Sequence, residues 1–229
     1  MELAPTTQVI RETFAEELGL LGGEVRDAFD DGARLFLRGV LPVAADVRPG
    51  DAIRGGVALR TAGPDILVHP YTFREVCTNG AIRAHALQTR RVGRVDSTPT
   101  EWPAREVVAD LRDAVQSCAA PDVFRDGVDE MRSALEVQAD QMLMLTAMLS
   151  RLGHTSVVVS QVLEQFERNP DPNRSVLGFM NAVTAVARET RDPETRWRLE
   201  ELGGAVPVLR PPRPKPLRGA ARLESCGGV

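Results

Sequence analysis

Lysine is almost missing from this sequence. Of 28 basic residues only Lys215 is a lysine, so arginine carries nearly all the positive charge. A GC-rich coding sequence explains that bias better than arginine-specific chemistry does. Aromatic residues make up only 4%, which leaves a core to be built from Leu, Val, Ala and Met. The three cysteines, Cys77, Cys118 and Cys226, are too few and too widely spaced for a disulfide framework or a CxxC metal site. The three histidines, His69, His85 and His154, lack the ligand spacing of a metal centre. No stretch approaches the ~18–20 apolar residues of a membrane span. Met1-Glu2-Leu3 has neither the basic start nor the apolar run of a signal peptide, so a cytoplasmic protein is expected. None of the glycine pairs continues into GK[ST] or GxGxxG, which leaves nucleotide hydrolysis without support and no cofactor implied.

What is present fits an ordinary globular chain. Its 229 residues suffice for one sizeable core, and 43% hydrophobic with 26% charged residues is typical composition. Charge is unevenly placed. Residues 206–229 carry Arg210, Arg213, Lys215, Arg218 and Arg222 against Glu224, a net +4, so the total of −4 leaves −8 on the rest. So acidic a body argues against broad adhesion to nucleic acid, although a local basic face can still bind it.

Val9, Ile10, Phe14, Leu18 and Leu21 share one face of a helix over 6–21, with Thr6 or Thr7 as N-cap and Gly22-Gly23 as its stop. The rhythm then turns extended. Two strands, Val25–Phe29 and Ala33–Val40, flank Asp30-Asp31-Gly32, and the alternation of Leu35 and Leu37 with Arg34, Phe36 and Arg38 predicts a sheet with one buried face. Further strands are predicted over 52–61 and 66–69. Tyr71–Thr78 reads as a helical turn stopped by Asn79-Gly80, with a strand as the alternative because its residues favour sheets. Residues 81–95 read as a last extended segment.

From 101 the periodicity is helical. Helices are predicted over 101–119, over 121–152 with Phe124, Val128, Met131, Leu135, Met142, Leu145 and Leu149 facing the core, and from residues 155, 175 and 192 onward. The fold class is therefore α+β: an antiparallel β meander after an N-terminal helix, then a helical C-terminal half. One domain is expected over 1–205 (β-rich 24–95, helical 101–205), with its helices on one face of the sheet. Residues 206–229 read as a disordered Pro/Arg-rich tail.

The rare residues converge on His69–Arg94, which holds the only Tyr and five arginines, Arg74, Arg83, Arg90, Arg91 and Arg94. Cys77 beside His69 or His85 invites a thiol-nucleophile reading, yet no catalytic signature accompanies it and a buried structural thiol is simpler. The paired carboxylates stand in turns and on helix faces. No catalytic residue is assigned and no enzyme is expected. Arginines on a strand can bind phosphates in a salt-sensitive way, and Tyr71 could stack a base. The competing reading pairs these arginines with acidic helices.

Two passages resemble a known family. Arg74-Glu-Val-Cys77-Thr-Asn79-Gly80 and Gly178-Phe-Met-Asn181-Ala-Val-Thr184 are similar to motifs of a bacterial, phage and plasmid family called a domain of unknown function (number 932, "phage/plasmid-like protein"). The strand before the first motif, Gly50-Asp51 to Arg60, also looks like that family's. The resemblance spans about residues 30–205 and implies no established enzyme. Its phage and plasmid setting points to DNA maintenance or recombination. A β meander followed by a helix also looks like the core of single-strand-annealing proteins, a fold-level analogy.

Independently of the family, Asn79-Gly80 can supply a left-handed turn, and a buried Asn181 amide could pin its helix to the sheet. Cys77, Asn79, Gly80 and Asn181 are thus expected to be architectural. The expected function is single-stranded DNA binding through Arg83, Arg90, Arg91 and Arg94, with Arg74 and Tyr71 beside them. The alternative is a protein-interaction module that forms homo-oligomers.

Overall fold

Thr6 caps the first helix by accepting a hydrogen bond from the Val9 amide, 3.3 Å away, in the computed structural model, which describes residues 5–62, 65–75, 78–94, 104–152, 156–168 and 174–209. Helix α1 (Thr7–Leu20) ends at Gly22, whose φ of +72° turns the chain into β1 (Glu24–Asp30). Asp30 and Asp31 then accept backbone amides of Gly32, Ala33 and Arg34, closing the predicted turn to β2 (Leu35–Asp46). Strands β3 (Ala52–Ala62), β4 (Asp65–Arg74), β5 (Asn79–Ile82) and β6 (Arg90–Arg94) complete an antiparallel sheet ordered β1-β2-β3-β4-β5. β6 also pairs with β4: residues 71–74 of β4 take β5, and residues 65–68 take β6. The fold is α+β.

Two strand readings are corrected. β2 does not stop at Val40 but resumes after a register shift between Val40 and Ala44, and Pro42, which cannot donate to a ladder, sits in that irregularity. Tyr71–Arg74 is strand, not helix. These residues pair with β3 on one side and β5 on the other, so tertiary pairing selects the extended state their β-favouring side chains permit.

The helical half comprises α2 (Ala104–Cys118), α3 (Pro121–Leu135), α4 (Gln141–Leu152), α5 (Ser156–Arg168), α6 (Val176–Glu189) and α7 (Pro193–Ala205), then a 3₁₀ turn, Val206–Val208. The helix starts expected at 175 and 192 are present: Ser175 and Asp192 cap α6 and α7, accepting the amides of Gly178 and Thr195. The single helix expected over 121–152 is two. Its break at 136–140 is held by backbone bonds Ala139 N to Arg174 O (2.9 Å) and Val176 N to Val137 O (2.8 Å), and Asp140 caps α4 at Met142 and Leu143.

Helices cover both faces of the sheet rather than the one expected. Leu35, Leu37, Val57, Leu59, Ile66 and Val68 pack under α1 and α2, with α3 and α6 farther along that face. Phe36, Ala58, Tyr71, Phe73 and Ile82 face the other way, onto Trp197 of α7. Phe36 and Arg38, read as a solvent face, are therefore buried. The packed body also runs past 205, because Val206 is buried and Leu209 lies against the core. Residues 210–229 lie outside the described residues.

Candidate functional site

Three residues of the expected nucleic-acid set belong to the interior. Tyr71 is buried, its hydroxyl pushed above the ordinary range by desolvation, and its ring lies on Gly80, where any Cβ would collide with it. It offers no face to a base. Arg74 grips both oxygens of the buried Asp51: Nε donates to Oδ1, and Nη2 to Oδ2 at 2.7 Å. That clamp staples the β2–β3 turn onto β4. Arg83 is 4% exposed. Its Nη1 donates to the Val123 carbonyl at 2.7 Å and its Nη2 stands 3.0 Å from Glu130, fixing α3 to the segment after β5. His85 Nε2 lies 3.2 Å from the same carboxylate. Burial works against ionised Glu130, but hydrogen bonds from His85 and Arg83 hold it below the usual carboxylate range.

The other three arginines share β6. Arg91 is open to solvent, 70% exposed at its side chain, and among the described residues it pairs with Asp65 at 3.1 Å. Arg90 is exposed too, donating to the Leu87 carbonyl at 2.8 Å and to the Ser117 hydroxyl at 3.2 Å. Arg94 stands opposite Asp65 in the ladder, and its side chain lies outside the described residues. Arg90 and Arg91 line an open groove against α2, which contributes Asp110 and Asp113. A phosphate backbone entering it would meet as many carboxylates as guanidiniums.

The two sequence motifs do come together. Arg74 and Asn79 are cross-strand neighbours in the β4–β5 ladder, and α6 lies over them with Asn181 and Thr184. Between sheet and helix is a narrow cavity whose polar end is Asp51, Thr72, Arg74, Asn79 and Asn181, and whose apolar end includes Val47, Ile53, Met131, Leu177 and Met180. Asn79 is buried, and its Oδ1 has no hydrogen-bond partner. Two details differ from expectation. Asn79-Gly80 is strand, and the left-handed residue is Thr78, at φ 51°. Asn181 is half-buried at the cavity wall rather than locked in the core. Cys77 lies outside the described residues.

No protein-family model, curated protein or solved structure matches this chain.

Cys118 and His69 are held inside the fold. Cys118 donates to the Gln88 carbonyl at 3.1 Å, and burial pushes its thiol up to about 12, far from a thiolate at neutral pH. His69 sits between Trp197 and Thr89, its ring centroid 5.8 Å from the indole. Among the described residues no cluster of His, Cys, Asp and Glu is arranged to hold a metal. No described helix is long and apolar enough to cross a membrane.

Sequence reasoning missed the outer face of α4. From Gln141 to Ser150 there is no charged residue. The break before α4 resets its phase, so Met144, Ala147 and Met148 point into the core with half-buried Leu145 packed against it as expected, while Met142 is 70% exposed and Leu149 41%. Val157 on α5 is 68% exposed and Val137, before α4, is also open. An amphipathic surface helix normally carries charge on its outer face. This one does not. The signal was legible as a charge-free run in a chain that is one-quarter charged.

Proposed function

We propose that the protein is a non-enzymatic assembly module that associates with a second copy of itself through the outer face of α4. The single observation behind this reading is the exposure of the large apolar side chains Met142 and Leu149 on α4, which carries no charge from Gln141 to Ser150. Contiguous exposed apolar surface marks interaction sites. Two copies with bodies at −8 repel wherever their carboxylates meet, so an uncharged patch is where like can approach like. Sedimentation of the full chain tests it. The wild type is expected to run as a defined oligomer and the Met142→Glu/Leu149→Glu variant as a monomer with an unchanged melting temperature. A wild type that stays monomeric at high concentration refutes the reading.

Nucleic-acid binding is the second reading, supported by the exposure of Arg91 beside Arg90 on β6 and by the basic composition of 210–222. It rests on fewer residues than the sequence promised, because Tyr71, Arg74 and Arg83 are engaged within the protein. Fluorescence anisotropy with a single-stranded DNA oligonucleotide at low salt separates the two readings. Salt-sensitive binding lost in Arg90→Ala/Arg91→Ala supports this one, and no binding at low salt ends it. The resemblance of both motifs to a phage and plasmid family is compatible with either.

A further inference from the structure

The break between α3 and α4 leaves a second groove. Residues 136–140 are not helical, and they are held by a bridge between Gln138 and Ser175 and by the bond from Val176 N to Val137 O at 2.8 Å. The groove beside them measures about 330 Å³ and is mostly apolar, with Val137, Leu143, Val176 and Leu209 among its lining and Gln138 and Asp140 as polar members. A space of that size lies in the range of ligand sites, and Val137, 54% exposed, opens it to solvent. The chain itself leaves the packed body here. Leu209 has φ −60° and ψ 134°, close to polyproline II, and the residues that follow are Arg210-Pro211-Pro212-Arg213-Pro214-Lys215-Pro216-Leu217-Arg218. Every position from 210 to 216 is a proline or precedes one, and both kinds are restricted to that same extended region.

We propose that the segment Pro211–Leu217 of the same chain docks in this groove as a polyproline II strip. With three residues per turn, Pro211, Pro214 and Leu217 fall on one edge, which lies against Val137, Leu143 and Val176. Arg210, Arg213, Lys215 and Arg218 fall on the other two edges and stay in water, where the exposed Glu136 and Asp140 stand beside Val137. Charge favours the contact, since residues 206–229 carry +4 against −8 on the rest. Proline fixes the strip in its bound conformation beforehand, so little freedom is lost on docking. The tether decides against a free ligand of similar chemistry: a segment that begins within two residues of Leu209 is present at the groove at an effective concentration on the order of millimolar. Docking does not rest on the assembly reading, because α4 turns Leu143 to the groove and leaves Met142 and Leu149 exposed.

The test is ¹⁵N relaxation of the full chain, read at the backbone amides of Arg213, Lys215 and Leu217. Their order parameters are expected near the ~0.85 of rigid backbone, and Pro211→Gly/Pro214→Gly should drop them below about 0.6 while the Val137 and Leu143 methyl signals shift. Val137→Lys sets a cation against the strip from the body side, at an exposed position the fold tolerates, and should give the same drop with the tail sequence intact. Isotope-filtered NOEs in a mixture of ¹³C-labelled and unlabelled chains identify whose segment is bound, and contacts from Pro211 or Pro214 to Leu143 are expected within one chain. Met142→Glu/Leu149→Glu, which separates any α4 assembly, should leave the order parameters unchanged, so the two readings fail separately. Three results overturn the docking: order parameters below about 0.6 in the wild type, order that survives both the proline and the Val137 variants, or contacts found only between chains, which would give the groove to the tail of a second copy.

Discussion

Arg38 of β2 and Glu200 of α7 stand 162 positions apart in sequence and meet at 2.6 Å, with only 3% and 2% of their side chains exposed. Arg196 approaches the same carboxylate at 3.1 Å, and the Arg38 guanidinium lies 5.6 Å from the centre of the Trp197 ring. The pair pins the last helix to a face of the sheet otherwise packed with Phe36, Ala58 and Tyr71. Breaking one half of a buried pair strands the other charge, which costs about 3–5 kcal/mol, whereas replacing both by apolar residues is often near neutral. Glu200→Met should therefore lose most of that amount in urea unfolding, and Arg38→Met/Glu200→Met much less. Equal losses in the single and double variants would show that the charges are not coupled.

His69 makes stability depend on pH in one direction. Burial, with Arg60 adding to it, pushes its pKa down to about 4, and Glu201, 4.0 Å from Nε2 but hydrogen-bonded to Trp197, does not reverse this. An unfolded His titrates near 6.5, so between about 6.5 and 4 the unfolded chain binds the extra proton. The contribution is complete above pH 6.5 and is lost as pH falls to 4, by up to about 3 kcal/mol. Carboxylates titrate in the same window, so the diagnostic quantity is wild type minus His69→Gln. That difference should shrink steadily from pH 7 to pH 4.5, and a flat one would mean that His69 is not buried neutral.

Gly80 is needed for its missing side chain rather than for a special backbone angle. The Tyr71 ring occupies the place of a Cβ, so Gly80→Ala overpacks the β4–β5 hairpin and should cost about 3 kcal/mol. Shortening Tyr71 to Leu in the Gly80→Ala background should recover part of the loss, read as a partial return of the thermal midpoint. Additive losses would place the conflict elsewhere.

Arg83 and Arg91 look alike in sequence and should behave oppositely. Arg83→Ala takes the donor from the Val123 carbonyl and leaves Glu130 with His85 alone, and should destabilise by about 2–3 kcal/mol. Arg91→Ala touches an exposed ion pair and should stay within about 0.5 kcal/mol. Urea melts of the two variants decide the assignment of inside and outside.

These contrasts define what the sequence made legible. The helix starts near Thr6, Ser175 and Asp192, the Asp30-Asp31-Gly32 turn and the change from extended to helical rhythm are local signals, and each stands where it was predicted. The errors lie where distant chain decides. Tyr71–Arg74 could be either state until β3 and β5 flank it, and Phe36 and Arg38 look like a solvent face until α7 returns from more than 150 residues away. The α3–α4 break depends on a backbone bridge to Arg174 and Val176. For the candidate site, composition singled out one stretch of chain, and the two sequence motifs meet beside it in the fold. Which arginines remain available could not be read, because that depends on Asp51, Glu130 and Asp65, whose positions only the folded sheet sets.

The division of one edge of β4 between β5 and β6 also makes the chain separable. The connection between those strands carries Leu87, 90% exposed, while Arg83 at one end and Thr89 at the other are bonded to the body. A cut after Leu87 severs no strand. It leaves a first piece holding α1 and β1–β5 and a second that begins just before β6 with all the later helices. Each piece lacks what the other supplies: β6 to complete the β4 edge, α7 to bury Phe36 and Arg38. Expressed apart, neither has a finished core. Mixed, the two pieces are expected to complete each other's core, which would make the chain divisible into a split protein at this loop.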